Sequence, residues 1–266
     1  MSPASARSSC ACTGSRCRRT SSPARSGRPS RQCRRRDAVP RLPSRASCAP
    51  VHADSIEPVP VRVCAHPLCA IALCTLRDRS SSASAFRDAL TSLATVLAVE
   101  ALTDLPLVPV GVATPLASTT GARMAGKLAL VPVLRAGLGM VDPILRLVPE
   151  ASVWHIGLAR DEQTLRPTQY YARLPDPGAI ARALVLDPML ATGGSAVATL
   201  DRLKTVHPGP IALLCAIAAP EGIDRLNGAH PDVRVFCGAI DRGLTDRGFI
   251  TPGLGDAGDR QFGTAE

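Results

Sequence analysis

The distribution of apolar residues divides the chain into two parts of different texture. Residues 1–58 contain hardly any Leu, Ile or Phe and show no periodicity. Such a segment cannot bury enough apolar surface to offset the entropy lost on ordering. From Val61 onward, apolar runs alternate with amphipathic patterns. We therefore predict a disordered tail over residues 1–58 and one folded domain over residues 59–266.

Helical spacing is clearest in SAFRDALTSLATVLAVEAL, from Ser84 to Leu102. Its large apolar residues recur mostly at three- and four-residue steps behind a serine that can cap a helix. They are Phe86, Leu90, Leu93, Leu97 and Leu102. The spacing predicts a helix that packs one face against the core.

Continuous apolar runs in the body are typical of strands buried on both faces. They are KLALVPVL (127–134), SVWHIGLA (152–159), RALVLD (182–187), PIALLCAIAA (210–219) and DVRVFCGAI (232–240). Turns or helical patterns follow most of these runs, including a helix from about Ser195 to Val206. This alternation predicts an α/β fold whose parallel sheet is flanked by helices, with ligands binding beyond the carboxyl ends of the strands. No run is long enough to predict a membrane span.

The net charge of +9 belongs to the tail and not to the domain. Residues 1–60 hold 12 arginines and 3 acidic residues, whereas residues 61–266 hold 19 basic and 19 acidic residues. Three interpretations of the tail compete: an arginine-rich arm for nucleic acid, a transit peptide, or codons upstream of a misassigned start. We favour the last, with a GTG codon at Val61 or Val63 as the start, and we expect a cytoplasmic protein.

The cysteines form no pattern typical of a zinc site or of a disulfide framework. Cys64, Cys69 and Cys74 recur every five residues, but five helical steps turn roughly 140°, which does not direct the three thiols to one point. We predict that they are reduced packing residues.

The segment VLDPMLATGGS, from Val185 to Ser195, has the composition of a sugar-phosphate site. Glycines let backbone N–H groups approach a phosphate, hydroxyls add donors, and a following helix supplies positive potential. A carboxylate at the strand end can accept hydrogen bonds from sugar hydroxyls. The alternative is a helix cap and a tight turn without a ligand.

Several segments together resemble the uracil phosphoribosyltransferases, which are type I phosphoribosyltransferases that use phosphoribosyl pyrophosphate (PRPP). The resemblance covers residues 61–266 and rests on VPVLRAGLGMVDPIL, HIGLARDEQTLRP, ALVLDPMLATGGS, AAPEGI, AHPDV and GFITPGLGDAGDRQFGT. It implies the type I phosphoribosyltransferase fold, with a projecting arm near Tyr170 and Tyr171 and a C-terminal loop that binds the base. It also implies formation of UMP from uracil and PRPP by positioning and electrostatics, without a covalent nucleophile.

The resemblance assigns roles to individual residues. Arg135 and Arg160 would bind the pyrophosphate of PRPP, and Asp256 would face the PRPP side of the base loop. The ribose 5-phosphate would contact Asp187, Pro188, Met189, Leu190, Ala191, Thr192, Gly193, Gly194 and Ser195. Uracil would contact Ile250, Gly255, Asp256 and Ala257. The resemblance further implies Mg²⁺ bound mainly through PRPP, a GTP effector and a homo-oligomer.

The chain departs from the family at several positions. Ile71 and Ala72 replace a basic pair, Ala159 replaces a tyrosine and Arg166 replaces a glutamate. Two other functions stay open: a phosphoribosyltransferase for another base, and a regulator that binds nucleic acid through the basic tail. The neutral domain makes a nucleic-acid partner the less favoured reading.

Overall fold

The structure is a computed structural model that describes residues 61–160, 167–173 and 180–264, with the backbone alone for 158–160 and 167–173. The strands are β1 (Arg62–Val63), β2 (Leu107–Ala113), β3 (Ser118–Met124), β4 (Lys127–Leu134), β5 (Ser152–Val153), β6 (His155–Arg160), β7 (Pro167–Arg173), β8 (Ile180–Leu186), β9 (Met189–Leu190), β10 (Ile211–Ala218), β11 (Arg234–Ile240), β12 (Gly243–Leu244) and β13 (Ile250–Thr251). The helices are α1 (Pro67–Arg77), α2 (Ala83–Ala101), α3 (Val141–Leu147), α4 (Gly194–Lys204), α5 (Pro220–Ala229) and α6 (Ala257–Phe262), and a 3₁₀ helix spans Ala136–Met140.

The central sheet has the strand order β1-β11-β10-β8-β4-β6-β7, with β5 beside β4 and β9 beside β10. Every pairing along this path is parallel except that of β6 with β7, which is antiparallel. The predicted parallel sheet is therefore confirmed. Its helices lie on both faces, as the continuous apolar strands require.

Alternate side chains along each strand pack into two separate cores, one on each face of the sheet. Along β8, Leu184 and Leu186 pack into a core with α1, α2 and α6, whereas Ala183 and Val185 pack into a core with α4 and α5. All eight residues of β10 are buried, because that strand lies in the middle of the sheet. Burial on both faces explains why the sequences of these strands are unbroken apolar runs.

Helix α2 has the predicted buried face. The hydroxyl of Ser82 caps it by accepting the N–H of Ala85 at 3.2 Å. Four of the five predicted apolar residues are buried, while Leu102 is the C-cap and is half-buried. Fully burying a large aliphatic or aromatic side chain contributes about 1.5–3 kcal/mol, so this face anchors α2 to the sheet.

The structure differs from the sequence prediction in four respects. The run SVWHIGLA is divided at Trp154, whose N–H donates to the carbonyl of Leu130 at 2.8 Å. Helix α1 and the β2–β3 hairpin were not predicted. The packing role assigned to Cys74 is wrong, because its side chain is exposed, whereas Cys64 and Cys69 are buried.

Strands β4 and β8 end side by side, since Pro132 pairs with Leu186. Arg135 follows β4 and Asp187 follows β8, so the two side chains emerge at the same edge of the sheet.

Among the described helices, none combines the length and hydropathy that a membrane span requires.

Candidate active site

A cavity of about 370 Å³ opens at the carboxyl ends of β4 and β8. It is bounded by the segment after β4, by the loop between β8 and α4, and by part of the C-terminal segment. Its lining residues are Val133, Leu134, Arg135, Ala136, Asp187, Met189, Leu190, Ala191, Thr192, Gly193, Gly194, Ser195, Ala196, Gly248, Phe249, Ile250, Asp256 and Gly258. This is the location at which a parallel α/β sheet is expected to bind a ligand.

The loop after β8 is fixed to the neighbouring strand β10 by its backbone. The N–H of Asp187 donates to the carbonyl of Leu214 at 3.1 Å, and the carbonyl of Pro188 accepts the N–H of Ala216 at 2.9 Å. The carboxylate of Asp187 accepts the N–H of Met189 at 3.3 Å. Asp187 is therefore held at the strand end with its carboxylate in the wall of the cavity.

Gly193 allows the loop to turn sharply into α4. It has a φ of +73°, and a Cβ at this position would lie 2.9 Å from the carbonyl oxygen of Gly222. Gly222 must also lack a side chain, because its own Cβ would lie 2.3 Å from the carbonyl oxygen of Ala191. The loop and the start of α5 are thus packed backbone against backbone.

The N-terminus of α4 faces the cavity without a side-chain cap. Gly193 occupies the N-cap position, no side chain of the described residues caps the helix there, and its first turn carries no acidic residue. The free N–H groups and the helix dipole give this end of α4, beside Thr192 and Ser195, a positive potential of the kind that binds anions. In the alternative interpretation, TGGS is a helix cap and a tight turn without a ligand; a tight turn is present, but its N-cap is Gly193 and not a hydroxyl residue.

Arg135 contributes a positive charge to the wall of the cavity. Its side chain is about 60% exposed, and its Nη2 lies 3.1 Å from Oδ1 of Asp259 on α6. The hydroxyl of Thr264 and then the guanidinium of Arg135 lower the pKa of Asp259. A Cβ at Gly137 would lie 2.2 Å from the carbonyl oxygen of Leu186, so the 3₁₀ helix after Arg135 packs directly on the end of β8.

The C-terminal segment closes the cavity with Ile250 and Asp256. The carboxylate of Asp256 caps α6 by accepting the N–H of Asp259 at 2.9 Å. The segment before it is held at Gly253, whose N–H donates to the carboxylate of Asp241 at 2.9 Å. Two turns in this segment depend on glycine, since Gly253 and Gly255 have φ values of +66° and +77°.

Comparison with known proteins agrees with this arrangement. Residues 63–264 match the family described as uracil phosphoribosyltransferase. A uracil phosphoribosyltransferase of Halalkalibacterium halodurans is 50% identical over 200 residues, which cover 75% of this chain and 96% of that protein. One of Roseiflexus castenholzii is 52% identical over 199 residues, with the same coverage of 75% and 96%. The chain belongs to the uracil phosphoribosyltransferase family.

A solved structure from Aquifex aeolicus shares this fold. It superposes with a TM-score of 0.74 at 37% identity, covering 77% of this chain and 99% of that one. The predicted fold class is therefore confirmed, and so is the resemblance to the uracil phosphoribosyltransferase family.

The cavity brings together most of the site residues that the sequence predicted for a uracil phosphoribosyltransferase. Arg135, Asp187, Ile250, Asp256 and seven residues of the loop line it. Three predicted residues lie outside its lining: Pro188 and Ala257 are buried, and Gly255 borders a second cleft instead. Arg160 ends β6, but its side chain lies outside the described part of the chain.

The sequence prediction missed several lining residues. They are Val133, Leu134, Ala136, Ala196, Gly248, Phe249 and Gly258. Most are direct neighbours of predicted positions, so the order of the chain could have identified them. Gly248 and Phe249 directly precede Ile250. Neither is a residue type that would distinguish a binding site from a packed turn in the sequence.

The positions at which this chain departs from its family have different surroundings. Ile71 is about 63% exposed on α1, while Ala72 is buried. Ala159, Arg166 and the tail lie outside the residues whose side chains are described, and so do segment 161–166 and the side chains of Tyr170 and Tyr171, to which the projecting arm was assigned. Strands β6 and β7 on either side of segment 161–166 pair as an antiparallel edge of the sheet.

In the described ranges, no cluster of three His, Cys, Asp or Glu side chains could hold a metal ion.

Proposed function

We propose that this protein transfers the 5-phosphoribosyl group of PRPP to N1 of uracil, forming UMP and pyrophosphate. The observation that carries the proposal is the joining, in one cavity, of an uncapped helix N-terminus, a strand-end carboxylate and an arginine. These groups match the three charged or polar parts of PRPP, namely its 5-phosphate, its ribose hydroxyls and its pyrophosphate. Membership of the uracil phosphoribosyltransferase family supports the same reaction.

The 5-phosphate is assigned to the loop Thr192–Ser195 and the first turn of α4. Backbone N–H groups at a helix N-terminus bind phosphate oxygens, and the hydroxyls of Thr192 and Ser195 add donors. No negative side chain lies in the first turn of α4, so the positive potential there is not offset locally. The ribose hydroxyls are assigned to Asp187, whose carboxylate can accept from both of them.

The pyrophosphate is assigned to Arg135, with Arg160 as the second arginine from the family resemblance. A guanidinium can donate two parallel hydrogen bonds to phosphate oxygens. The ion pair with Asp259 uses one nitrogen of Arg135 and leaves the others for the substrate. The carboxylate of Asp259 therefore helps to orient the guanidinium.

Uracil is assigned to the C-terminal segment around Ile250, Gly255, Asp256 and Ala257. Ile250 supplies an apolar surface in the cavity wall, and backbone groups of the segment would pair with the edge of the base. Gly255 and Ala257 do not line the cavity, so their assignment to uracil rests on the family resemblance.

The chemistry follows from this placement. The electron pair of uracil N1 forms a bond to C1′ while the bond from C1′ to the pyrophosphate oxygen breaks. Pyrophosphate keeps the electron pair of the broken bond, and the N1 proton is lost to water. Positive charge develops on the ribose and negative charge on the leaving group, so positioning and electrostatic stabilisation supply the catalysis.

Mg²⁺ fits the cavity, because Asp187 and Asp256 bring two carboxylates to its wall. Protein-bound Mg²⁺ commonly uses one or two carboxylates together with substrate phosphates. We propose that PRPP carries most of the Mg²⁺ ligands. The ion would neutralise charge on the pyrophosphate.

The remaining expectations are proposals that rest on the family resemblance. They are a homo-oligomer, a GTP effector, a cytoplasmic location and a catalytic domain over residues 59–266 that does not require residues 1–58. Ile71 and Ala72 lie on α1 at the positions of the family's basic pair, and the loss of these basic side chains argues for a weak response to GTP.

The test is nucleotide formation from a panel of bases. The protein is incubated with PRPP and Mg²⁺ and with uracil, hypoxanthine, guanine or orotate in parallel. We expect UMP from uracil and no nucleotide from the others. Turnover of a purine base or of orotate in place of uracil would assign the protein to a different base.

A further inference from the structure

Helix α6 carries a buried glutamine between the two loops that bound the cavity. Gln261 is 1% exposed, although its side chain is polar. It lies near the end of α6, which begins directly after Asp256 of the C-terminal segment. A buried amide has to be explained by the groups that it contacts.

The side chain of Gln261 contacts the loop that contains Arg135. Its Nε2 donates to the carbonyl oxygen of Ala136 at 2.8 Å. Ala136 directly follows Arg135 and also lines the cavity. The hydrogen bond therefore fixes the peptide next to the arginine that is assigned to the pyrophosphate.

The backbone of Gln261 is fixed independently to α2. Its carbonyl accepts a hydrogen bond from Nη1 of Arg87 at 2.7 Å. The glutamine is thus held by the core helix at one end and reaches the loop after β4 at the other. Its side chain also abuts Gly139, where a Cβ would lie 2.1 Å from Oε1.

The other atom of the amide has no comparable partner. Oε1 of Gln261 is buried and accepts no hydrogen bond from the described residues. Leaving a buried acceptor unpaired is unfavourable, so an apolar side chain of similar size would suit the packing better. The bond from Nε2 to Ala136 is the one polar contact of the side chain among those residues that offsets this cost.

We propose that Gln261 is a positioning residue that sets the loop of Arg135 relative to the base-binding segment. The inference rests on the proposed function, because it takes Arg135 to bind the pyrophosphate. Without the hydrogen bond, the peptide of Ala136 can rotate. The backbone from which the side chain of Arg135 extends is then no longer held in one position. Binding of pyrophosphate and PRPP weakens, while the uracil segment keeps its own anchors at Gly253 and Asp256.

The test compares Gln261→Leu and Gln261→Glu by calorimetry, with Mg²⁺–pyrophosphate as the probe. Losing one neutral hydrogen bond predicts about a two- to tenfold weaker binding of pyrophosphate by Gln261→Leu. In the same variant the KM for PRPP rises by a similar factor, whereas the KM for uracil changes less than about twofold. Asn227→Leu is the matched control, because it removes another buried amide oxygen without a partner, on α5 and away from the cavity.

The glutamate variant separates positioning from packing. A protonated carboxyl can donate its O–H to Ala136, whereas a carboxylate cannot, and burial raises the pKa of a carboxyl above its usual value of about 4.3. Pyrophosphate binding by Gln261→Glu, taken relative to the wild type at each pH, should therefore recover as the pH falls from 8 to 5.5. Gln261→Leu should show no such recovery. Melting curves identify a variant that fails to fold. If one of the two variants does not fold, the pH series of the other one tests the positioning role.

Two results would overturn the inference alone. They are wild-type pyrophosphate binding by Gln261→Leu, and a pH series of Gln261→Glu that stays parallel to that of Gln261→Leu. Failure of the wild type to bind Mg²⁺–pyrophosphate would overturn the proposed function and the inference together.

Discussion

Arg77 and Asp241, which are 164 residues apart in sequence, form a bidentate ion pair beneath the C-terminal segment. Nη2 of Arg77 lies 2.6 Å from Oδ1 of Asp241, and Nη1 lies 2.8 Å from Oδ2. Both residues also contact Gly253: its N–H donates to Asp241 at 2.9 Å, and its carbonyl accepts from Arg77 at 3.0 Å. One ion pair thus fixes the middle of the segment that is assigned to uracil.

Removing the carboxylate of Asp241 should destabilise the protein strongly. In Asp241→Ala, Arg77 keeps a partly buried charge without its partner and Gly253 loses an acceptor. We expect the free energy of unfolding to fall by about 3–5 kcal/mol, measured by urea denaturation. Asp232→Ala is the control, because Asp232 is 58% exposed in its ion pair with Lys204 and its loss should cost less than about 1 kcal/mol. Equal losses in the two variants would contradict the assigned role.

The same pair predicts how stability depends on pH. Burial alone would raise the pKa of Asp241, but the hydrogen bonds from Arg77 and Gly253 outweigh it and hold the pKa below its ordinary value. Hydrogen bonds from Arg182 and Arg234 lower the pKa of Asp104 in the same direction. A group of this kind contributes its stability fully above the unfolded-state pKa of about 3.9 and loses it as the pH falls through the folded-state pKa.

Unfolding free energies measured between pH 7 and pH 2 should therefore fall mainly below about pH 4. Asp241→Asn cannot titrate at this position, so its stability should decline less steeply in the acid range than that of the wild type. An unchanged slope in Asp241→Asn would show that the pKa of Asp241 is not lowered by folding.

Gly193 should not accept a side chain. Gly193→Ala places a Cβ on a residue with a φ of +73° and 2.9 Å from the carbonyl oxygen of Gly222. The left-handed conformation alone costs about 1–2 kcal/mol, and relief of the contact displaces the phosphate loop. We expect the KM for PRPP to rise about tenfold or more.

Gly228→Ala is the matched control for this substitution. Gly228 lies in α5, and a Cβ there would meet nothing within 4 Å. Alanine in a helix is more favourable than glycine by about 0.5–1 kcal/mol, so this variant should be slightly more stable and fully active. A normal KM for PRPP in Gly193→Ala would exclude the loop from phosphate binding.

The local parts of this site could be predicted from the sequence. The strand that leads to Asp187, the glycine pair and the following helix are consecutive, so their order alone places a carboxylate and an anion site at one sheet edge. The pairing of β4 with β8 adds Arg135 to the same edge, as expected for neighbouring parallel strands. The role of Arg135 was expected from the family resemblance alone, because the sequence pattern does not show which strands are neighbours.

The long-range contacts could not be predicted in this way. Nothing in the pattern around Arg77 or Gln261 identifies Asp241 or Ala136 as its partner, because these contacts depend on how distant elements pack. Helix α1 was missed because apolar residues occupy both its buried and its exposed sides, as Leu73 and Ile71 show. The β2–β3 hairpin was missed for a related reason, since Leu107 and Val108 are adjacent, apolar and both exposed.

Base selectivity tests the assignment of the C-terminal segment. Cytosine exchanges a donor and an acceptor relative to uracil on the edge that backbone groups would contact. Unpaired groups in a closed site can lower kcat/KM by about 10⁴-fold or more, so cytosine should be a very poor substrate. Competitive turnover of the two bases measures the ratio directly. Similar values of kcat/KM would contradict recognition of the base by this segment.

The most direct test of the account is to measure UMP formation by the wild type and by Asp187→Asn in parallel, with saturating uracil and varied PRPP. We predict that the wild type forms one UMP for each pyrophosphate released. In Asp187→Asn, kcat/KM for PRPP should fall by about 10- to 100-fold, because each hydrogen bond to a charged group contributes about 1.5–3 kcal/mol. Wild-type kinetics in Asp187→Asn, or no UMP from the wild type, would contradict it.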